Sequence, residues 1–182
     1  GAAIGGALNK NDVLVLAGPT RRVSDVALGA LLKAYAFTDH KSEGPAKDVP
    51  TVTVATSKPE DVDVAGVTAL ADGVFFTRDL VSEPANVLTT TEFANRLKDL
   101  ESLGVEVEVL EEDALEELGM RTLLAVGQGS RSPSKVVVMQ WKGGKDEAPL
   151  ALVGKGVVFA TGGMSIKPAG GMADMPMDRG GA

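Results

Sequence analysis

The sequence predicts an α/β fold on three observations. Val13-Leu14-Val15-Leu16 is a short apolar run closed by Gly18-Pro19, the pattern of a buried strand. Ser24–Phe37 follows, with Val26, Leu28, Leu31, Leu32, Tyr35 and Phe37 at near-helical spacing. Val49–Thr56 then alternates as a second strand. Strand, helix, strand is the order of an α/β sheet, in which each element buries an apolar face against another. Of the 182 residues, 44% are hydrophobic and 24% charged, the balance of a folded chain. Aromatics reach only 4%, so the core has to rest on Val, Leu, Ile and Ala.

Taken in order, Ser24 or Asp25 is the expected N-cap of the first helix, since either side chain can accept a first-turn N–H. His40–Pro50 is polar and loop-like. Asp61–Glu83 is expected as a long helix, with Val64, Val67, Ala71, Val74, Phe75 and Leu80 at three- and four-residue steps. It stops before Pro84, because the residue ahead of a proline resists helical geometry. Thr90–Leu103 reads as another helix with Thr91 as its cap, and Val105–Leu110 as a strand. Asp113–Leu118 is a short acidic helix stopped by Gly119. Ser134–Trp141 and Pro149–Val153 read as strands. From Gly154 onward glycine, methionine and proline dominate without periodicity. The small, uncharged start, Gly-Ala-Ala-Ile-Gly-Gly-Ala-Leu, reads as the middle of a domain and lacks the basic flank of a signal peptide. The expected division is 1–62, a linking helix over 63–83, and 84–182.

Several function classes are excluded early. A net charge of −7 without a basic tract argues against a nucleic-acid surface. No apolar run approaches the roughly 20 residues of a membrane helix. Without cysteine there is neither a disulfide nor a thiolate metal site, and one histidine, His40, cannot build a histidine-rich zinc site. A metal here would need oxygen ligands, with a lysine amine as the one alternative donor. His40 reads as a loop residue, and Glu111-Glu112-Asp113 with Glu116-Glu117 as a solvated helix face without EF-hand spacing.

The chemistry concentrates after Leu150. A predicted strand runs into Gly154-Lys155-Gly156, and in open α/β sheets ligands collect beyond the carboxyl ends of strands. A Walker loop needs Gly-x-x-x-x-Gly-Lys followed by Ser or Thr and does not fit, because Gly156 and Val157 follow Lys155 and the upstream spacing fails. Gly127-Gln-Gly129 begins like a dinucleotide fingerprint but has Ser132 at the third glycine position, so no nucleotide cofactor is expected.

The segment Val153-Gly-Lys-Gly-Val-Val-Phe-Ala-Thr-Gly-Gly-Met-Ser-Ile-Lys-Pro168, followed by Gly171-Met-Ala-Asp-Met-Pro-Met-Asp-Arg-Gly-Gly-Ala182, resembles the signature of the M17 leucyl aminopeptidases, or cytosol aminopeptidases. Arg78-Asp-Leu-Val-Ser-Glu-Pro-Ala-Asn86, Leu118-Gly-Met120, Val126-Gly-Gln-Gly-Ser130 and Gly29–Phe37 extend the resemblance over most of the chain. It implies that 1–62 is the remainder of a mixed-sheet N-terminal domain and 84–182 the first part of an α/β/α zinc-peptidase-like catalytic domain. It implies two divalent ions, manganese or zinc, which activate a water for attack on a peptide carbonyl. Position by position, Lys155 resembles the lysine that ligates one metal through its amine, and Asp178 a carboxylate ligand of that metal. Lys167 resembles the catalytic lysine that polarises the carbonyl and stabilises the oxyanion. Met175 resembles the methionine lining the pocket for the first side chain of the substrate, where an adaptable thioether suits varied shapes. The resemblance further implies peptide substrates, a homohexamer and a cytoplasmic setting.

Two departures stand out. Ala160 occupies the position of an aspartate that bridges both metals in the family. The family segment Asn-Thr-Asp-Ala-Glu-Gly-Arg, with two further carboxylate ligands and an arginine that holds a bicarbonate base, does not occur within the 182 residues. We therefore expect a partial sequence whose site is inactive as written. Arg179 stands where methionine is usual and adds a charge beside Asp178, which alone could also cap a helix beginning at Arg179. A non-catalytic homologue serving as an oligomeric scaffold is the competing expectation. A DNA-binding role, which the resemblance implies for some bacterial relatives, is opposed by the acidic balance.

Overall fold

A computed structural model describes residues 1–8, 12–18, 22–42 and 51–181. The expected loop over 43–50, the first two residues of the expected Val49–Thr56 strand, Pro19 of the expected turn and Ala182 lie outside these residues. The chain divides into two units, Gly1–Asp79 and Leu80–Ala182.

In the first unit the order is α1 (Ala2–Ala7), β1 (Val13–Ala17), α2 (Val23–Ala34), β2 (Val52–Thr56) and most of α3 (Val64–Ser82). β1 and β2 pair in parallel, with Val13 opposite Val52 and Ala17 opposite Thr56. Alternation places Val13, Val15 and Ala17 inward and leaves Leu14 and Leu16 outward. Leu8, Val23, Ala30 and Ala71 are buried. Tyr35 joins α2 to α3: its hydroxyl donates to Asp79 Oδ1 at 2.6 Å and its ring stacks on Phe75 at 5.4 Å. Arg78 lies over the Tyr35 ring and donates to the Leu32 carbonyl.

Two expectations are corrected here, and one further helix is found. α2 begins at Val23 after Arg22, so Ser24 and Asp25 lie inside its first turn and neither is the cap. Asp25 instead accepts from Arg22 Nε at 2.7 Å and places a carboxylate at the positive end of the helix. The long helix starts at Val64, because Pro59–Asp61 forms a separate 3₁₀ turn whose carbonyls are closed locally. Ala2–Ala7 is a helix that small residues without periodicity did not announce.

The second unit contains α4 (Thr90–Lys98), β3 (Val105–Leu110), α5 (Glu112–Glu117), α6 (Arg121–Gly127) and β4 (Val136–Trp141). β3 and β4 are antiparallel, with Val105 opposite Trp141 and Leu110 opposite Val136. The outward face of β3 carries Glu106 and Glu108, and Lys142 pairs with Glu106 at 2.5 Å. Leu80, Leu88, Phe93, Ala94, Leu97 and Leu115 form the buried apolar set of this unit.

The cap of α4 is Thr89, not Thr91: its side chain accepts from Glu92 N at 3.2 Å. The helix gives way at Asp99 to a 3₁₀ turn that Gly104 ends at φ +88°. Pro149–Val153, expected as a strand, is irregular, with Leu150, Leu152 and Val153 at 85%, 89% and 97% exposure. Apolar character alone does not make a strand; hydrogen-bonded neighbours do, and none pairs with this stretch among the described residues. Met172–Arg179 forms a 3₁₀ helix led by Gly171, so Asp178 lies within it and caps no helix beginning at Arg179.

Candidate functional site

The site is assembled from three stretches of the second unit: 154–161, 162–168 and the 3₁₀ helix 172–179. Since no strand leads into Lys155, another contact fixes it. The Gly181 N–H donates to the Lys155 carbonyl at 3.1 Å. This approach requires glycine, because a Cβ at 181 would lie 2.9 Å from the Lys155 oxygen and 3.0 Å from its nitrogen. With the two backbones in contact, Lys155 Nζ reaches Asp178 Oδ2 at 2.9 Å. The side chains are 60% and 38% exposed, so solvent screens this pair and it adds little stability.

Lys167 is brought back by a turn. Gly162 adopts φ +97° and Gly163 φ +65°, and the Lys167 N–H closes the turn on the Thr161 carbonyl at 2.8 Å. The half-buried side chain then folds over its own loop: Nζ donates to the Ala160 carbonyl at 2.8 Å and to Met175 Sδ at 3.4 Å. Thus Lys155 meets Asp178, and Lys167 meets Ala160 and Met175. Asp174, on the same 3₁₀ helix as Met175 and Asp178, is exposed.

The sequence left the direction of Arg179 open. Its side chain is buried, at 1% exposure, and turns away from Asp178. Nε donates to the Pro176 carbonyl at 3.1 Å, and Nη2 to the carbonyls of Glu83 at 3.0 Å and Val81 at 3.4 Å. Burial pushes its pKa below the ordinary guanidinium value, and the nearby Glu83 charge opposes that. The Glu83 carboxylate is buried too and accepts from Arg96 Nη2 at 2.9 Å, while Arg96 Nε donates to Glu92 at 2.8 Å. Those bonds lift the Arg96 pKa above its usual value, Glu92 foremost. Glu83 and Arg96 were missed in the sequence. A charged residue directly before Pro84 at a helix end was the available signal.

Among the described residues the donors do not make up a two-metal centre. Lys155 and Asp178 supply one nitrogen and one carboxylate, and these are spent on each other. Ala160 contributes only a carbonyl, which already accepts from Lys167. Among the described residues, no group of three or more His, Cys, Asp or Glu side chains could hold a metal. A groove of about 740 Å³ opens elsewhere, between α5 and α6, lined by Glu112, Glu116, Arg121 and Arg131 among others; none of the predicted site residues lines it.

Residues 75–182 match the cytosol aminopeptidase family, catalytic domain, and the chain belongs to this family. Members of this class are hydrolases by family resemblance. The chain is 59% identical over 186 aligned residues to a probable cytosol aminopeptidase of Cereibacter sphaeroides, and 57% identical over 183 to one of Dinoroseobacter shibae. Each match takes in 100% of the chain but only 38% of the relative. The chain therefore spans well under half the length of these relatives. Among solved structures, leucyl aminopeptidase from Leishmania major in complex with actinonin superposes with a TM-score of 0.80 at 25% identity, over 98% of this chain and 37% of that one. A bottromycin maturation enzyme in complex with Mn gives a TM-score of 0.66 at 32% identity, over 87% and 36%. The α/β architecture is that of a partial M17 protein. Among the described residues no helix is long and apolar enough to cross a membrane.

Proposed function

We propose that this chain is part of a two-metal aminopeptidase that releases N-terminal amino acids such as leucine from peptides, and that its site as written is inactive. The observation that carries the proposal is the Lys167 cluster. One amine, held over its own loop by a glycine turn, donates to a carbonyl oxygen 2.8 Å away with a methionine sulfur beside it. A peptide carbonyl in place of the Ala160 carbonyl would receive the same donor, and the bond would strengthen as negative charge gathers on that oxygen. Met175 would border the first side chain of the peptide. Lys155 and Asp178 would stand at the metal-facing edge.

Inactivity follows from Ala160. A methyl group stands where the one carboxylate would serve both ions, and among the described residues no group of three or more His, Cys, Asp or Glu side chains could hold a metal. The metal-dependent form is therefore proposed for a protein with aspartate at 160 and further carboxylates from outside these 182 residues. We assign 1–62 to the N-terminal domain, 63–83 to the linking helix and 84–182 to the catalytic domain. Peptide substrates, a homohexamer and a cytoplasmic setting belong to the same proposal. The non-catalytic scaffold is the second reading, favoured by Ala160 and by the Lys155–Asp178 pair that closes the donors on each other.

The test is Mn²⁺ binding by a chain of the relatives' full length carrying Ala160→Asp. Lys155→Met and Asp178→Asn, each added to that background, are expected to weaken Mn²⁺ at least tenfold. Unchanged affinity in both would remove them from the ligand set.

A further inference from the structure

We propose that Arg179 is a positioning residue, a clamp that ties the 172–179 turn to the end of α3 and so sets where Met175 and Asp178 stand. The inference rests on reading those two residues as part of the site.

The argument starts from the cost of burial. A guanidinium at 1% exposure is out of water, which is costly unless its donors are satisfied. Its Nη1 has no hydrogen-bond partner, so the arrangement is not the cheapest filling of this space. What the cation gains is a set of backbone carbonyls at a helix end and within the turn. α3 ends at Ser82, and the last carbonyls of a helix have no intrahelical N–H and carry its negative end. Nη2 takes Val81 and Glu83 there. Nε holds the Pro176 carbonyl inside the turn itself. The planar fork thereby joins two stretches nearly 100 residues apart, a geometry a lysine point charge reproduces only in part.

The turn needs such an anchor. It is 3₁₀ rather than α, has Pro176 in its interior, and is only eight residues long, so its own hydrogen bonds hold it weakly. Met175 precedes the Pro176 carbonyl that Arg179 grips, and Asp178 precedes Arg179 itself. On the far side, the Gly181 N–H fastens the chain to Lys155. Asp178 is thus bracketed by the clamp at 179 and the tie at 181. Glu83 offsets the buried charge and is itself held by Arg96.

Hydrogen exchange and methyl NMR on the intact chain decide the matter. In Arg179→Met, exchange over 172–181 is expected to rise about tenfold or more, as lost bonds to a charged group imply. The Met175 methyl signal should shift, while the β3 and β4 amides and the Leu88 and Leu115 methyls keep the parent pattern. Arg179→Lys should restore part of both readouts. If the methionine variant gives no dispersed spectrum, the lysine variant decides by the same comparison, with a rise of about threefold expected. Parent-like exchange and an unmoved Met175 methyl would overturn the clamp. So would a uniform rise across β3 and β4, which would make Arg179 a general stabiliser. Failure of the site reading looks different: Asp178→Asn would leave Mn²⁺ binding by the full-length Ala160→Asp protein untouched, whatever exchange shows.

Discussion

Gly162→Ala tests how Lys167 is held. Gly162 sits at φ +97°, and a Cβ there would fall 2.5 Å from the Ser165 carbonyl oxygen and 3.2 Å from Lys167 Cγ. Gly163 also has positive φ, at +65°, but nothing lies within 4 Å of its added carbon. A left-handed conformation costs an L-residue about 1–2 kcal/mol. Gly163→Ala should therefore raise opening of the turn about tenfold. At Gly162 the clash is with backbone, which cannot swing aside, and overpacking adds about 1–3 kcal/mol. Opening should then rise roughly 100-fold or more. The assay is exchange of the Lys167 amide, which donates to Thr161 at 2.8 Å. Equal exchange in the two variants would refute the reasoning, because the close approach distinguishes them.

Three further outcomes are expected. Arg96→Met should destabilise by about 2–4 kcal/mol in urea unfolding, as it takes the Arg96 bond from the buried Glu83 carboxylate, whereas Glu92→Gln, at a more exposed i,i+4 pair, should cost under about 1 kcal/mol; equal costs would contradict the burial argument. Thr89→Ala should cost about 1 kcal/mol and Thr91→Ala far less, measured the same way, because only Thr89 caps α4. Asp12 accepts from the Thr51 N–H and hydroxyl, the backbone bond foremost, and these lower its pKa below 3.8. Its contribution to β1–β2 pairing should be full above pH 3.8 and fade as pH falls through the depressed value, with Asp12→Asn removing the dependence in NMR of the Thr51 amide.

Elements with a strong period were legible. Val105–Leu110 alternates and forms β3 over those same residues, and the apolar stripe of 64–82 forms α3. The α4 cap was legible but misread. Thr89, Thr90 and Thr91 are equivalent by type, yet only Thr89 has a glutamate three residues on, the spacing of a capping box. Leu150–Val153 could not be settled locally, since a strand exists through its neighbours. The Glu112 side chain, assigned to a solvated face, also accepts from the Ser134 N–H at 2.7 Å, a partner 22 residues away. The site residues came from the motif, but their grouping did not. Arg179 turns inward because its acceptors lie 96 and 98 residues upstream, at a helix end that no local pattern connects to it.

Release of leucine from a leucyl peptide, assayed with Mn²⁺ in a chain of the relatives' full length carrying either Ala160 or Ala160→Asp, tests the central claim most directly. The account predicts hydrolysis with aspartate that Lys167→Met abolishes, and none above background with alanine. Hydrolysis by the Ala160 form, or none by the aspartate form despite bound Mn²⁺, would contradict it.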